Sequence, residues 1–172
     1  MLEVLVTIVI LAIGLLGLAA LQTRLHASEL EAYQRTQALI LLNDMANRVA
    51  SNRINAAGYV TATTPLGAGM ICPATTATTQ ERDRSEWCRA LQGAAETTGE
   101  SNVGAMIGGR GCVEDLGSGE YLLTVVWQGL VPITAPPAGV ACGTNNYNGG
   151  TACVNELCRR AVTTIVRIAD LT

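Results

Sequence analysis

No lysine and no phenylalanine occur in this chain of 172 residues, and histidine occurs once, at His26. Aromatic residues make up only 3%, so a core must rest on Leu, Val and Ile, with Trp87 and Trp127 as its large anchors. The eleven basic residues are all arginine and are outnumbered by fourteen acids, giving a net charge of −3. That balance argues against general nucleic-acid binding, which needs a basic stripe to displace counterions from phosphates. With a single histidine, a serine or cysteine nucleophile lacks its usual base. His26 itself reads as a snorkelling or solvated side chain. There is no C-x-x-C pair, so thiol exchange of the thioredoxin kind and a zinc knuckle both lack their motif. Gly108-Gly109-Arg110-Gly111 lacks the spacing and the strand–helix setting of a phosphate loop and reads as a turn. Asp115, Gly117 and Glu120 form one short acidic turn, better read as a solvated hairpin than as a calcium site. No catalytic residue, metal or cofactor is expected.

What the chain does have is an unbroken apolar run from Val4 to Leu21, polar only at Thr7, with Glu3 directly before it. A helix of about 18 residues spans roughly 27 Å, close to the thickness of a bilayer hydrocarbon core. A carboxylate at the mouth of such a segment costs about 2–3 kcal/mol to insert unpaired, so Glu3 should find a partner. No basic region precedes the run, it is long for a signal peptide, and no clear A-x-A site closes it, so the segment reads as retained. Gly14 and Gly17 lie inside it, each lowering helix propensity by about 1 kcal/mol relative to alanine. They suit close helix–helix packing, or a point where the helix can stretch.

The helical pattern continues beyond the apolar run, without proline or glycine, to about Arg53. Ala38, Leu42, Met45 and Val49 recur at spacings of four, three and four, one stripe of an amphipathic helix, which Leu39, Leu41 and Ala46 widen. Arg24, Glu29, Glu31, Arg35, Asp44 and Arg48 occupy the outer face. A helix from Leu2 to Arg53 would be roughly 78 Å long, with one half projecting and the other serving as the spine of a head. The organisation is therefore an apolar helix half over 1–21, an amphipathic half over 22–56, and a globular head over 57–172.

Within the head, residues 60–80 are rich in Thr, Ala and Gly and read as loop with a short strand. Asp83 with Glu86 three residues on resembles a capping box; the helix after it would run to about Ala95, turning Trp87, Leu91 and Ala94 or Ala95 inward. Val103 to Val113 is broken by glycine, with a strand entering at Gly111-Cys112-Val113. Tyr121 to Trp127 is a strand with Tyr121, Leu123, Val125 and Trp127 on one face. Val162 to Ile168 alternates in the same way, the antiparallel pattern with one face covered. Between these strands, Pro132 to Arg160 is long for a connection without regular structure, which points to cross-linking or function. Its Asn145, Asn146, Tyr147 and Asn148 read as a polar surface loop able to contact a partner.

Cys72, Cys88, Cys112, Cys142, Cys153 and Cys158 all follow the apolar helix. Their even number and one-sided placement indicate an oxidising compartment and up to three disulfides, of fifteen possible connectivities. A link inside 142–158 is favoured, because it would staple a loop rich in Asn and Gly.

Met1-Leu2-Glu3-Val4-Leu5-Val6, followed by Ile8-Val9-Ile10-Leu11-Ala12-Ile13-Gly14-Leu15-Leu16-Gly17-Leu18, resembles the N-terminal segment of type IV pilins. The Ile-Gly-Leu-Leu-Gly-Leu stretch is most similar to minor pilins of the PilV type. Asn43-Asp44-Met45-Ala46-Asn47-Arg48, Ser51-Asn52, Tyr59, Trp87 and Val125-Val126-Trp127 resemble that subfamily more loosely. The resemblance implies an α+β fold, a long N-terminal helix packed on an antiparallel sheet with disulfide-stapled loops. It also implies a prepilin peptidase that cuts after a glycine and methylates the new amine, on a leader expected upstream of Met1. The family's glutamate matches Glu3, which would pair with the terminal ammonium of a neighbouring subunit. The implied function is that of a minor pilin that primes pilus assembly, forms part of the tip complex, or both. It would be held in the inner membrane with a periplasmic head before assembly and lie in the surface pilus afterwards. The implied partners are other minor pilins, the major pilin and a tip adhesin. A pseudopilin of type II secretion shares the same N-terminal logic. A membrane-anchored periplasmic enzyme or thiol oxidoreductase is the reading from another class, and it would require a reactive thiol.

Overall fold

The computed structural model describes residues 2–61, 64–94, 97–98, 101–102 and 106–169. Its first element, helix α1, runs over Leu2–Ser51. The chain divides into two compact units, residues 1–33 and 34–172.

In the second unit, the α1 positions Ala38, Leu42, Met45 and Val49 are all buried, together with Gln34. They are the stripe that the four-three-four spacing marks, since those positions share one helix face. The stripe is narrower than expected: Leu41 and Ala46 are half-buried, but Leu39 is exposed. After Ser51 the chain tightens into a 3₁₀ segment, Arg53–Tyr59, broken at Asn55.

Helix α2 spans Thr79–Leu91 and starts one turn earlier than the expected Asp83 cap. Thr78 is the true N-cap: its hydroxyl accepts from the Glu81 N–H at 3.3 Å, and Glu81 accepts from the Thr78 N–H at 3.1 Å. This is a reciprocal capping box that satisfies two otherwise orphaned donors. The helix also stops at Leu91, short of the expected Ala95, because Gly93 takes a positive φ of 82° and its N–H turns back to Ala90. Trp87 and Leu91 face inward as expected, Ala94 is exposed, and Ala95 lies outside the described residues.

The sheet has four antiparallel strands in the order β1 (Leu66–Gly67), β4 (Arg110–Gly117), β5 (Glu120–Gln128) and β6 (Arg159–Arg167). A separate two-stranded ribbon joins β2 (Thr97–Thr98) and β3 (Ser101–Asn102). The expected glycine-broken stretch starts at Val103, outside the described residues, and its strand portion is β4. Tyr121, Leu123, Val125 and Trp127 line the covered face of β5 and form one core with the α1 stripe, Trp87 and Leu91. Val162 and Val166 of β6, with Ile168 just beyond, pack half-buried against it. Gly111 makes the closest approach possible: a Cβ there would meet the Trp87 ring at 2.2 Å. The indole, wholly buried, donates to the Leu41 carbonyl at 2.9 Å and so ties α2 to α1.

Three disulfides brace this α+β unit. Cys72–Cys88 holds the loop before α2 against that helix, and Cys112–Cys142 fastens the long β5–β6 connection to β4. Cys153–Cys158 closes a short loop inside the same connection.

Candidate interaction surfaces

The first unit presents apolar side chains on every side. Leu2 is 77% exposed, and Val4, Leu5, Ile8, Ile10, Leu11, Ile13, Leu15, Leu16 and Leu21 are each more than half exposed. It is long and apolar enough to cross a membrane, and none of its apolar stretch is buried. Polar groups within it are satisfied locally: Thr7 donates to the Val4 carbonyl at 2.9 Å and Thr23 to Ala19 at 3.1 Å. Such i−3 and i−4 bonds let a hydroxyl enter an apolar environment without a desolvated orphan. Glu3 sits in the first turn of α1, where the partial positive charge of the helix end favours a carboxylate. The helix is continuous through Gly14 and Gly17, and a Cβ at either would meet nothing within 4 Å. Among the described residues, therefore, no close neighbour requires glycine at those positions. His26 lies on the surface 3.4 Å from Glu29.

In the head, Arg48 is not the simple outer-face residue that its position suggests. Its guanidinium meets Asp44 at 2.9 Å, Asp83 at 2.9 Å and Glu86 at 2.7 Å. Asp83 and Glu86, expected to cap α2, instead lock that helix to α1. Burial works against the Arg48 charge, but the bonds to Glu86, Asp44 and Asp83 overcome it and raise its pKa. Tyr59 completes the cluster, donating to Asp83 at 2.5 Å and accepting from Asn52 at 3.1 Å. Burial first, and then the bond to Asp83, pushes the Tyr59 phenol up to about 12.

The long β5–β6 connection is anchored rather than loose. Tyr147, expected in a polar surface loop, is only 2% exposed and donates to the Gly108 carbonyl at 2.7 Å. The Arg110 guanidinium lies 5.1 Å from its ring centroid, a cation–π distance. Burial raises the Tyr147 pKa against the opposing pull of Arg110. Arg159, 4% exposed, donates to the carbonyls of Val140 and Cys142 at 2.8 and 2.9 Å and pairs with Glu156. Glu156 also accepts from the Asn145 N–H at 2.8 Å and the Asn148 amide at 3.0 Å. These anchors were not foreseen, although Tyr147 is the sole aromatic between residues 129 and 158, a composition signal for a side chain that pins a loop.

Asp115 accepts from the Gly117 N–H at 2.8 Å and Glu120 pairs with Arg167 at 2.7 Å, so the acidic turn is a self-satisfied hairpin. Among the described residues no group of three or more His, Cys, Asp or Glu is arranged to hold a metal ion, and no cysteine is free. An open groove of about 650 Å³ beside the hairpin is lined by Arg53, Ile54, Ser118, Gly119, Tyr121 and Ile168. No protein-family model, curated protein or solved structure matches the chain.

Proposed function

We propose that this chain is a minor pilin of the type IV pilus, a structural subunit that primes assembly or forms part of the tip complex. The observation that carries the reading is the apolar stretch from Val4 to Leu21, exposed throughout and headed by Glu3. Such a surface needs either lipid or other apolar helices around it. A helix that exchanges one for the other accounts for both the apolar segment and the acid at its tip. Glycines at positions 14 and 17, where no described residue would meet a Cβ, fit close approach by neighbouring helices. The disulfide-braced head supports export to an oxidising compartment. The partners would be other minor pilins, the major pilin and a tip adhesin, with the inner membrane as host before assembly.

The same N-terminal surface serves a pseudopilin of type II secretion equally well. Fractionation of cells producing the tagged full-length protein separates the two. A minor pilin appears in sheared surface fibres, and its deletion lowers their number. A chain absent from the fibres, whose deletion leaves them unchanged and blocks protein secretion, overturns the pilus reading in favour of the pseudopilin.

A further inference from the structure

Asn148 is the only asparagine in the chain followed directly by glycine. Glycine has no side chain to shield its amide nitrogen or restrict its backbone. That nitrogen can therefore attack the asparagine side-chain carbon one residue back and expel ammonia. Both residues are exposed, and a Cβ at Gly149 would meet nothing within 4 Å, so water and base reach the site.

Two conditions must hold before this reaction runs. The Gly149 nitrogen must give up its proton, and the Asn148 carboxamide must swing over it. The loop opposes both. The Gly149 N–H donates to the Cys153 carbonyl at 2.8 Å. Glu156 holds the carboxamide by both its ends: Asn148 Nδ2 donates to Glu156 Oε1 at 3.0 Å, and Asn148 Oδ1 accepts from the Glu156 N–H at 2.9 Å. Cys153 and Glu156 both lie in the short loop that Cys153–Cys158 closes. There Asn155 and Glu156 take positive φ in succession, 52° and 66°. Glutamate adopts that region sparingly and keeps it only where its surroundings impose it. The disulfide is the covalent part of those surroundings.

We infer that Asn148–Gly149 is a deamidation site, latched by the Cys153–Cys158 loop and released when that disulfide is opened. Opening takes a dithiol reductant, which is itself oxidised to a disulfide as Cys153 and Cys158 become thiols. The asparagine step involves no redox change. A solvent base takes the Gly149 amide proton and the nitrogen bonds to Asn148 Cγ. The Cγ–Nδ2 bond then breaks, and the amide nitrogen leaves as ammonia with a proton from water. Water opens the cyclic imide at either carbonyl, giving aspartate or isoaspartate at position 148. The change runs one way. A carboxylate now replaces the amide donor beside Glu156, and the two like charges repel. Isoaspartate also lengthens the main chain before Gly149 by one carbon, which spoils the bridge to Cys153. The loop thus keeps a mark of reduction even after its cysteines are reoxidised. The inference goes beyond the pilin reading and rests on this loop alone.

The test incubates the full chain in detergent at mildly alkaline pH and follows position 148 by peptide mass spectrometry. Amide-to-acid conversion gives the rate, and fragmentation identifies isoaspartate. The synthetic peptide Asn-Asn-Tyr-Asn-Gly-Gly-Thr, matching residues 145–151, sets the unlatched rate. The oxidised protein should react at least about tenfold more slowly than the peptide, the effect of holding even one of these hydrogen bonds. Cys153→Ser together with Cys158→Ser should approach the peptide rate, with Cys72–Cys88, Cys112–Cys142 and the near-ultraviolet circular dichroism retained. Glu156→Gln keeps the disulfide but replaces a charged acceptor with a neutral one, and should speed the reaction several-fold. An oxidised protein that reacts as fast as the peptide would overturn the proposal, as would a wild-type rate in the double serine variant. If that variant loses its near-ultraviolet signal, Glu156→Gln decides, and an unchanged rate there overturns the proposal as well.

Discussion

Arg48 shows how one side chain can join two distant stretches of sequence. It reaches Asp44 one helical turn away and Asp83 and Glu86 on α2, while Tyr59 closes over Asp83 from the 3₁₀ segment. Replacing Tyr59 by phenylalanine removes a donor from a carboxylate that is mostly buried, at a cost of about 1–3 kcal/mol near neutral pH. Its pH dependence has a definite sign. The folded phenol titrates above its ordinary value of about 10, at about 12. The folded state therefore holds this proton more tightly than the unfolded chain. Its contribution is fully present below about pH 10 and is lost as pH rises through about 12. Urea unfolding of wild type and Tyr59→Phe at about pH 8, 10 and 11.5 should show the gap between them narrowing over that window. The other tyrosines cancel in the difference, so a constant gap would place the Tyr59 titration elsewhere.

At the level of elements, the helix stripe and β5 were legible because each is a periodic pattern with one buried face. Ala38, Leu42, Met45 and Val49 carry the period of a helix, and Tyr121, Leu123, Val125 and Trp127 that of a strand. The start of α2 was misread because two capping sequences compete within nine residues. Thr78 with Glu81 and Asp83 with Glu86 both fit the local rule, and the choice between them is made by Arg48, 35 residues upstream of Asp83. The fixed β5–β6 connection was hidden for a similar reason. Its anchors, Tyr147 and Arg159, bind backbone carbonyls, and their one trace in the sequence is that Tyr147 is the sole aromatic between residues 129 and 158. Position in the sequence does rank the disulfides. Loop-closure entropy assigns about 4 kcal/mol to Cys112–Cys142, at a separation of 30 residues, and about 2 kcal/mol to Cys153–Cys158, at a separation of 5. Cys112 and Cys142 are also buried around Val126 and Tyr147, so their loss also disturbs packed apolar side chains. Paired Cys→Ser variants compared by urea unfolding should follow that order. Equal losses would mean that Tyr147 and Arg159 hold the connection without its cross-link.

At the scale of the whole molecule the proposed reading turns on Glu3. An unpaired carboxylate entering lipid costs about 2–3 kcal/mol, so Glu3→Ala should insert into a membrane at least as well as the wild type. Assembly is where the charge would matter under the proposed reading. A carboxylate about 4 Å from a neighbour's terminal ammonium gains roughly 4 kcal/mol at an effective dielectric near 20. The apolar surroundings offer no competing partner for either charge, so the pair would also set the axial register between helices. Losing it while easing the membrane state shifts the balance toward lipid twice over. Glu3→Ala, made in a full-length processed chain, should therefore keep normal membrane levels and fall about a hundredfold or more in sheared fibres. Glu3→Gln separates charge from shape, since the amide fills the same volume but cannot form an ion pair. It should fail nearly as badly as alanine. Quantitative blots of membrane and fibre fractions read both variants, and normal incorporation of either would remove the intersubunit ion pair from the account of this chain.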